Sequence, residues 1–237
     1  MDMCIQKKLV VKELAKADYQ TTHDAMLSRT LARIDAKKQN NQQTDDELWI
    51  VDHHDVFTLG QAGKEEHILA RGDIPIIKTD RGGQVTWHGH GQLVVYLLFD
   101  LSSLGWKVRD LVSHAEQAIE DVVNQYLPKD LIAKARQDAP GVYIFQKTQD
   151  NKAIKLEDMM LGKIASLGFK IKQGFSYHGI ALNLSCDLSA FNLINPCGYA
   201  GMQMLRLADF ATISDEQIAN ELVANIAKRH AGDIVLR

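Results

Sequence analysis

The stretch that most restricts the fold is Leu93-Val94-Val95-Tyr96-Leu97-Leu98-Phe99, seven consecutive apolar residues, four of them β-branched or aromatic. Such a run predicts a strand in the middle of a sheet. It is entered directly from residues 81–92, where Gly82, Gly83, Gly89 and Gly91 fall within twelve positions. A glycine-punctuated loop lets backbone approach a bound ligand closely, because a residue without Cβ tolerates φ > 0 and leaves its N–H accessible.

Around this centre the periodicity changes repeatedly. Residues 8–14 alternate as a strand, 48–51 and 74–77 read as short buried strands, and 141–145, 164–171 and 179–184 are further strand candidates. Tyr19, His23, Met26, Leu27, Thr30, Leu31 and Ile34 recur at helical spacing. A second helix carries Val108, Leu111, Val112, Ala115, Ile119, Val122, Val123 and Tyr126 and stops before Pro128. A third starts from a capping box of Ser214 with Gln217 and runs through Ile218, Leu222, Val223 and Ile226. Residues 146–162 are polar and charged, and read as an inserted loop or short helix. Clustered strands with occasional helices predict an α+β class, and residues 1–237 are expected to form one domain.

Composition removes several functions. With 27 basic and 30 acidic residues the chain has no general positive field to recruit nucleic acid. Three cysteines, Cys4, Cys186 and Cys197, are an odd number and too few for a disulfide scaffold, so free thiols in a reducing compartment are expected. The first residues hold no apolar run of signal type, and no later stretch holds eighteen uncharged apolar residues, so a soluble, cytoplasmic protein without a membrane partner is expected.

Cysteine is ordinarily a small buried hydrophobe, and Cys4 and Cys186 suit that inert description. Cys197 differs, because Asn195, Pro196, Gly198, Tyr199 and Gly201 favour turns. A turn-held thiol can meet a substrate, but with a pKa of about 8.5 it needs a nearby base or cation to act as a nucleophile. Lys163 is the candidate: strict alternation places it with Ala165 and Leu167 on one strand face, although a lysine at a strand start is as often a solvated edge charge. Arg81 is either a phosphate or carboxylate contact or a solvated charge. His178 is either a general base or a histidine hydrogen-bonded within the sheet. His88 and His90 make only half a metal site, since catalytic zinc takes about three protein ligands, and no metal is expected. The glycine pattern lacks the Walker spacing.

In chain order, residues 81–92, 163–168, 178–183 and 194–199 resemble the lipoyl(octanoyl) transferase family, the octanoyltransferases of lipoate biosynthesis, and the resemblance runs from residue 58 to about 205. It implies a biotin/lipoate protein ligase-like (class II synthetase-like) fold, a mixed β-sheet with flanking helices, and no cofactor. It also implies that Cys197 carries the acyl group and that Lys163 lowers its pKa. The acyl substrate would be contacted by Arg81, Gly82, Gly83, Gln84, Val85, Thr86, Trp87 and His88, then by Ser166, Leu167 and Gly168, then by Gly179, Ile180 and Ala181, with His178 in support. Octanoyl-acyl carrier protein would be the donor. Lipoyl domains of 2-oxoacid dehydrogenases and the glycine cleavage H protein would be the acceptors, in the first step of endogenous lipoylation.

Two departures stand out. His90 occupies a position where the family has proline, which removes a fixed φ. The segment before Lys163 is longer than usual and holds Lys147, Lys152 and Lys155, so the assignment of Lys163 rests on the Ile164-Ala165-Ser166-Leu167-Gly168 that follows it. An ATP-dependent lipoate or biotin ligase on the same fold is the main alternative expectation, and a non-catalytic acyl-binding module is another. Lys170, Lys172 and Arg206 are candidate contacts for small acidic partners.

Overall fold

The computed structural model describes residues 8–70, 72–147, 159–196 and 201–237. Seven strands form the larger sheet: β1 (Leu9–Ala17), β2 (Asp46–His53), β6 (Gln92–Leu98), β7 (Leu131–Ala135), β8 (Gly141–Gln146), β9 (Met160–Lys172) and β10 (Phe175–Asn183). Their spatial order is β1-β2-β6-β10-β9-β8-β7, with β1 and β2 parallel and every other neighbouring pair antiparallel. A smaller sheet, ordered β4-β3-β5, is built from β3 (Val56–Leu59), β4 (Ile76–Lys78) and β5 (Val85–His88). The helices are α1 (Tyr19–Asn40), the single turn α2 (Leu101–Leu104), α3 (Val108–Val123) and α4 (Asp215–Ala231).

The apolar run 93–99 behaves as expected of a strand covered on both faces. Leu93, Val95 and Leu97 enter the core under α3 and α4, whereas Val94, Tyr96 and Leu98 pack with Met26 beneath α1. Burying one such aliphatic side chain contributes roughly 1.5–3 kcal/mol, so this strand alone organises both layers.

The helical periodicity of α1 is real: Tyr19, Met26, Thr30 and Ile34 of the expected stripe are buried, Thr22 and Arg33 join them, His23 and Leu27 are half-buried and Leu31 is exposed. A guanidinium can occupy that stripe because tertiary partners satisfy it: Arg33 donates to the Leu98 carbonyl at 2.6 Å, to Thr44 at 2.9 Å and to the buried Asp46 carboxylate. The capping box before α4 is only half formed. Ser214 accepts from the Gln217 N–H at 3.3 Å, but the Gln217 amide turns away to Glu221 and Tyr126.

The short strands β3 and β5 are not visible in the sequence, because four residues are too few to show a period, and the same holds for the five-residue β7. Of the polar stretch 146–162, Met160 to Gly162 belong to β9, and 148–158 lie outside the described residues. β9 and β10 form a hairpin whose two-residue turn, Gln173 (φ 50°) and Gly174 (φ 83°), has the left-handed conformations that match strand twist.

Candidate active site

A cavity of about 400 Å³ opens where the smaller sheet meets β9 and β10. Its wall takes in 81–86 and His88, Lys163, 166–169 of β9, 178–181 of β10, and Val108 and Val112 of α3. The lining is mainly apolar with a few polar groups, the usual character of a small-molecule site, and the volume falls within the range for one. Of the residues expected at the site, Trp87 alone among the described ones turns elsewhere. It alternates out of the cavity between Thr86 and His88 and meets the edge of Phe191 at 5.5 Å in a separate apolar cluster.

Arg81 is neither a solvated charge nor an open anion clamp. Its guanidinium donates to the carbonyls of Thr58 (2.5 Å), Gly82 (2.8 Å) and Gln84 (2.8 Å) and to the Thr58 hydroxyl (3.0 and 2.9 Å). Buried and so bonded, it braces the glycine loop from within. The loop is also tied to β9, since the Gly82 N–H donates to the Phe169 carbonyl at 3.1 Å.

Lys163 reaches the cavity through a break in strand alternation. Tyr143 and Val142, adjacent on β8, pair with Lys163 and Ala165, so β9 carries an extra residue there, a β-bulge. Beyond it Ala165 and Leu167 join the main core and Ser166 and Gly168 follow Lys163 to the cavity side, which corrects the grouping of Lys163 with Ala165 and Leu167. Although it retains a rim contact with the cavity, Leu167 packs chiefly against that core. Lys163 is 2 % exposed; its Nζ donates to the Pro140 carbonyl at 2.9 Å and lies 5.2 Å from the centre of the Tyr143 ring. Glu116 of α3, which the sequence reading missed, accepts from the Gly141 N–H at 3.0 Å, and burial pushes its carboxyl up to about 6 while the Lys163 charge partly opposes that rise. A carboxylate inside an amphipathic helix gives no sequence signal of such a role.

His178 sits in β10 at φ 59°, a left-handed conformation that costs a non-glycine residue of order 1 kcal/mol or more. The consequence is that Tyr177 and His178, neighbours in the chain, both hydrogen-bond Asp80, the residue preceding Arg81. His178 Nε2 lies 2.9 Å and His23 Nε2 3.2 Å from Asp80 Oδ1. His178, Tyr177 and His23 together hold the Asp80 carboxyl well below its usual range. Three atoms of metal-ligand type lie close together here, and all three are engaged in these hydrogen bonds. His90, in contrast, is exposed and pairs with Asp52 at 2.8 Å.

Burial lowers the pKa of His53, His88 and His178 below the ordinary 6.5. Between those lowered values and 6.5 the unfolded chain binds protons that the folded chain does not, so their stabilisation is full above about pH 6.5 and drains away as pH falls. Glu116 has the opposite sign, losing its contribution as pH rises through about 6. With His114, likewise lowered by burial, four imidazoles stand against one carboxyl. The melting temperature should therefore decline between pH 7.5 and 5.5, and His88→Gln should flatten the decline; an unchanged slope in that variant would count against buried neutral His88.

Cys197 lies outside the described residues, as do 198–200, but both flanks of that stretch are anchored. Before it, Ile194 bridges Ile68 and the Asn195 N–H donates to the His67 carbonyl at 2.7 Å. After it, Met204 forms a parallel bridge with Lys163: the Lys163 N–H donates to Gln203 at 2.8 Å and its carbonyl accepts from Leu205 at 2.9 Å. Cys186 is buried and desolvation pushes its thiol up to about 12, which favours the unreactive thiol form. Among the docking candidates, Arg206 is paired with Asp209 at 2.9 Å. No helix among the described residues is long and apolar enough to cross a membrane.

This fold has known counterparts. Residues 27–227 match the family described as the lipoyl protein ligase A/B catalytic domain, and the chain belongs to that family. The fold is also that of lipoate-protein ligase A bound with ATP (TM-score 0.57, 13 % identity, 98 % of this chain and 88 % of that one). It is shared by a bi-partite lipoate protein ligase from Thermoplasma acidophilum, described with its E2 lipoyl domain (TM-score 0.56, 13 % identity, 97 % and 86 %). Within the family its place is with the octanoyltransferases, and it is an acyltransferase. It is 60 % identical to the octanoyltransferase of Psychrobacter arcticus, covering 97 % of this chain and 93 % of the relative. It is 42 % identical to that of Vibrio cholerae serotype O1, covering 94 % and 91 %.

Proposed function

We propose that this chain transfers an octanoyl group from octanoyl-acyl carrier protein to a lysine of a lipoyl domain, through a thioester on Cys197. The Cys197 thiolate attacks the donor carbonyl, and the carrier thiol leaves with a proton. The lysine amine then attacks the new thioester, the S–C bond breaks, and the proton lost by the amine returns to Cys197. The observation that carries this reading is Lys163: a buried cation in the wall of an apolar cavity, whose own backbone is bonded to Gln203 and Leu205, six and eight positions beyond Cys197 in the chain. A cation near a thiol favours the thiolate, and its ammonium can exchange the proton that moves between amine and sulfur. The lipoyl domain described with the Thermoplasma ligase supports acceptors of that kind.

Intact-protein mass spectrometry tests the reading. Mixed with octanoyl-acyl carrier protein and no acceptor, the chain should gain one octanoyl group, and adding a lipoyl domain should remove it. If no adduct forms and the lipoyl domain is modified only with free octanoate and ATP, with release of pyrophosphate, the chain works as a ligase and the proposal fails.

A further inference from the structure

β10 ends at Asn183, and beside β9 its place is taken by residues 203–205. The junction is bridged by side chains. Asn183, 1 % exposed, donates from Nδ2 to the Leu205 carbonyl at 2.9 Å and accepts at Oδ1 from Gln92 Nε2, also at 2.9 Å. Gln92, 3 % exposed, donates in addition to the Trp87 carbonyl and receives the His88 ring at 2.8 Å on Oε1. His88 Nε2 faces the Thr58 hydroxyl at 3.4 Å, which accepts from Arg81.

Each link fixes the orientation of the next. The Trp87 carbonyl can only accept, so the Gln92 atom that faces it and Asn183 is the NH₂, and the atom left for His88 is the carbonyl oxygen, which takes the Nδ1–H of that ring. Asn183 must then present its own NH₂ to Leu205. Lys163 holds the same segment through Gln203 and Leu205, and Gly162 lets it come near, since a Cβ there would lie 2.5 Å from the Gln203 carbonyl oxygen.

We propose that Asn183, oriented by Gln92, is a positioning residue that sets residues 203–205, the segment that follows Cys197 in the chain, against Lys163. The inference rests on the proposed reading of Cys197 and Lys163 as thiol and activating cation. Two nearly isosteric changes attack it separately. Asn183→Asp keeps the acceptor for Gln92 but sets a carboxylate oxygen against the Leu205 carbonyl. Gln92→Glu leaves Asn183 in place but removes the NH₂ it accepts from, which favours rotation of the Asn183 amide away from Leu205.

The experiment is the pH profile of Cys197 alkylation by iodoacetamide, mapped by peptide mass spectrometry, for wild type, Lys163→Ala, Asn183→Asp and Gln92→Glu, with melting temperatures alongside. The inference expects both amide variants to raise the alkylation midpoint in the direction of Lys163→Ala and to slow acylation by octanoyl-acyl carrier protein about tenfold, the effect of leaving one buried polar group unpaired. If Lys163→Ala moves the midpoint and a folded amide variant does not, whatever its melting temperature, the positioning role is overturned. If Lys163→Ala itself leaves the midpoint in place, the reading of Lys163 fails first and the inference falls with it. Should Asn183→Asp not fold, Gln92→Glu alone decides.

Discussion

Cys197→Ser is expected to lower octanoyl transfer by at least about a thousandfold while leaving the melting temperature essentially unchanged. The reason is chemical and local. Serine has nearly the shape of cysteine, but its hydroxyl is a weak nucleophile at neutral pH unless an adjacent base removes its proton, whereas in the proposed mechanism the thiolate, favoured by Lys163, would need no such base at the moment of attack. An ester on serine would also give up its acyl group to an amine far more slowly than a thioester, so the second step suffers with the first. Steady-state transfer to a lipoyl domain, measured beside the thermal melt, decides the matter. Turnover within tenfold of the wild type would remove Cys197 from the mechanism and leave the ligase route as the better reading.

Gly179→Ala is the change expected to damage the fold most. A Cβ on Gly179 would stand 1.9 Å from the carbonyl oxygen of Val95 and 2.9 Å from the Tyr96 Cα, so backbone and not a flexible side chain is in the way. β10 cannot retreat, because Gly179 is paired with Tyr96 on one side and with Gly168 on the other. The strained His178 next to it holds Asp80, and 179–181 form part of the cavity wall, so any shift is felt at the site. A loss of about 3 kcal/mol or more is expected from overpacking of this kind, which for a chain of this size lowers the melting temperature by roughly 6–12 °C. A melt within two or so degrees of the wild type would mean that the two strands do not approach as closely as described.

Gly179, which the resemblance marks as a substrate contact, therefore also meets a packing demand, the close approach of β10 to its neighbour β6. Arg81 makes a similar point. Its identity was visible in the sequence, but its use, three carbonyls and a hydroxyl gathered from 58, 82 and 84, depends on β3 lying beside the loop. Nothing in local spacing marks Thr58 as a partner, and β3 itself is too short to announce a period.

What the sequence by itself determined is what depends on neighbours a few residues away. The apolar run 93–99 had to be a buried strand, the helical spacing of 108–123 had to make an amphipathic helix, and four motifs in order placed the chain among the octanoyltransferases. What only the tertiary structure decided is where alternation breaks and which distant groups satisfy buried polar atoms. The bulge that turns Lys163 to the cavity, Arg33 and Asp46 paired inside the core, and the Gln92–Asn183 bridge to Leu205 all join residues far apart in the chain. Periodicity predicts which face of an element is apolar, because that is a property of one segment. It carries no information about a buried charge or amide, whose cost is removed only when a partner from another segment arrives at hydrogen-bond distance.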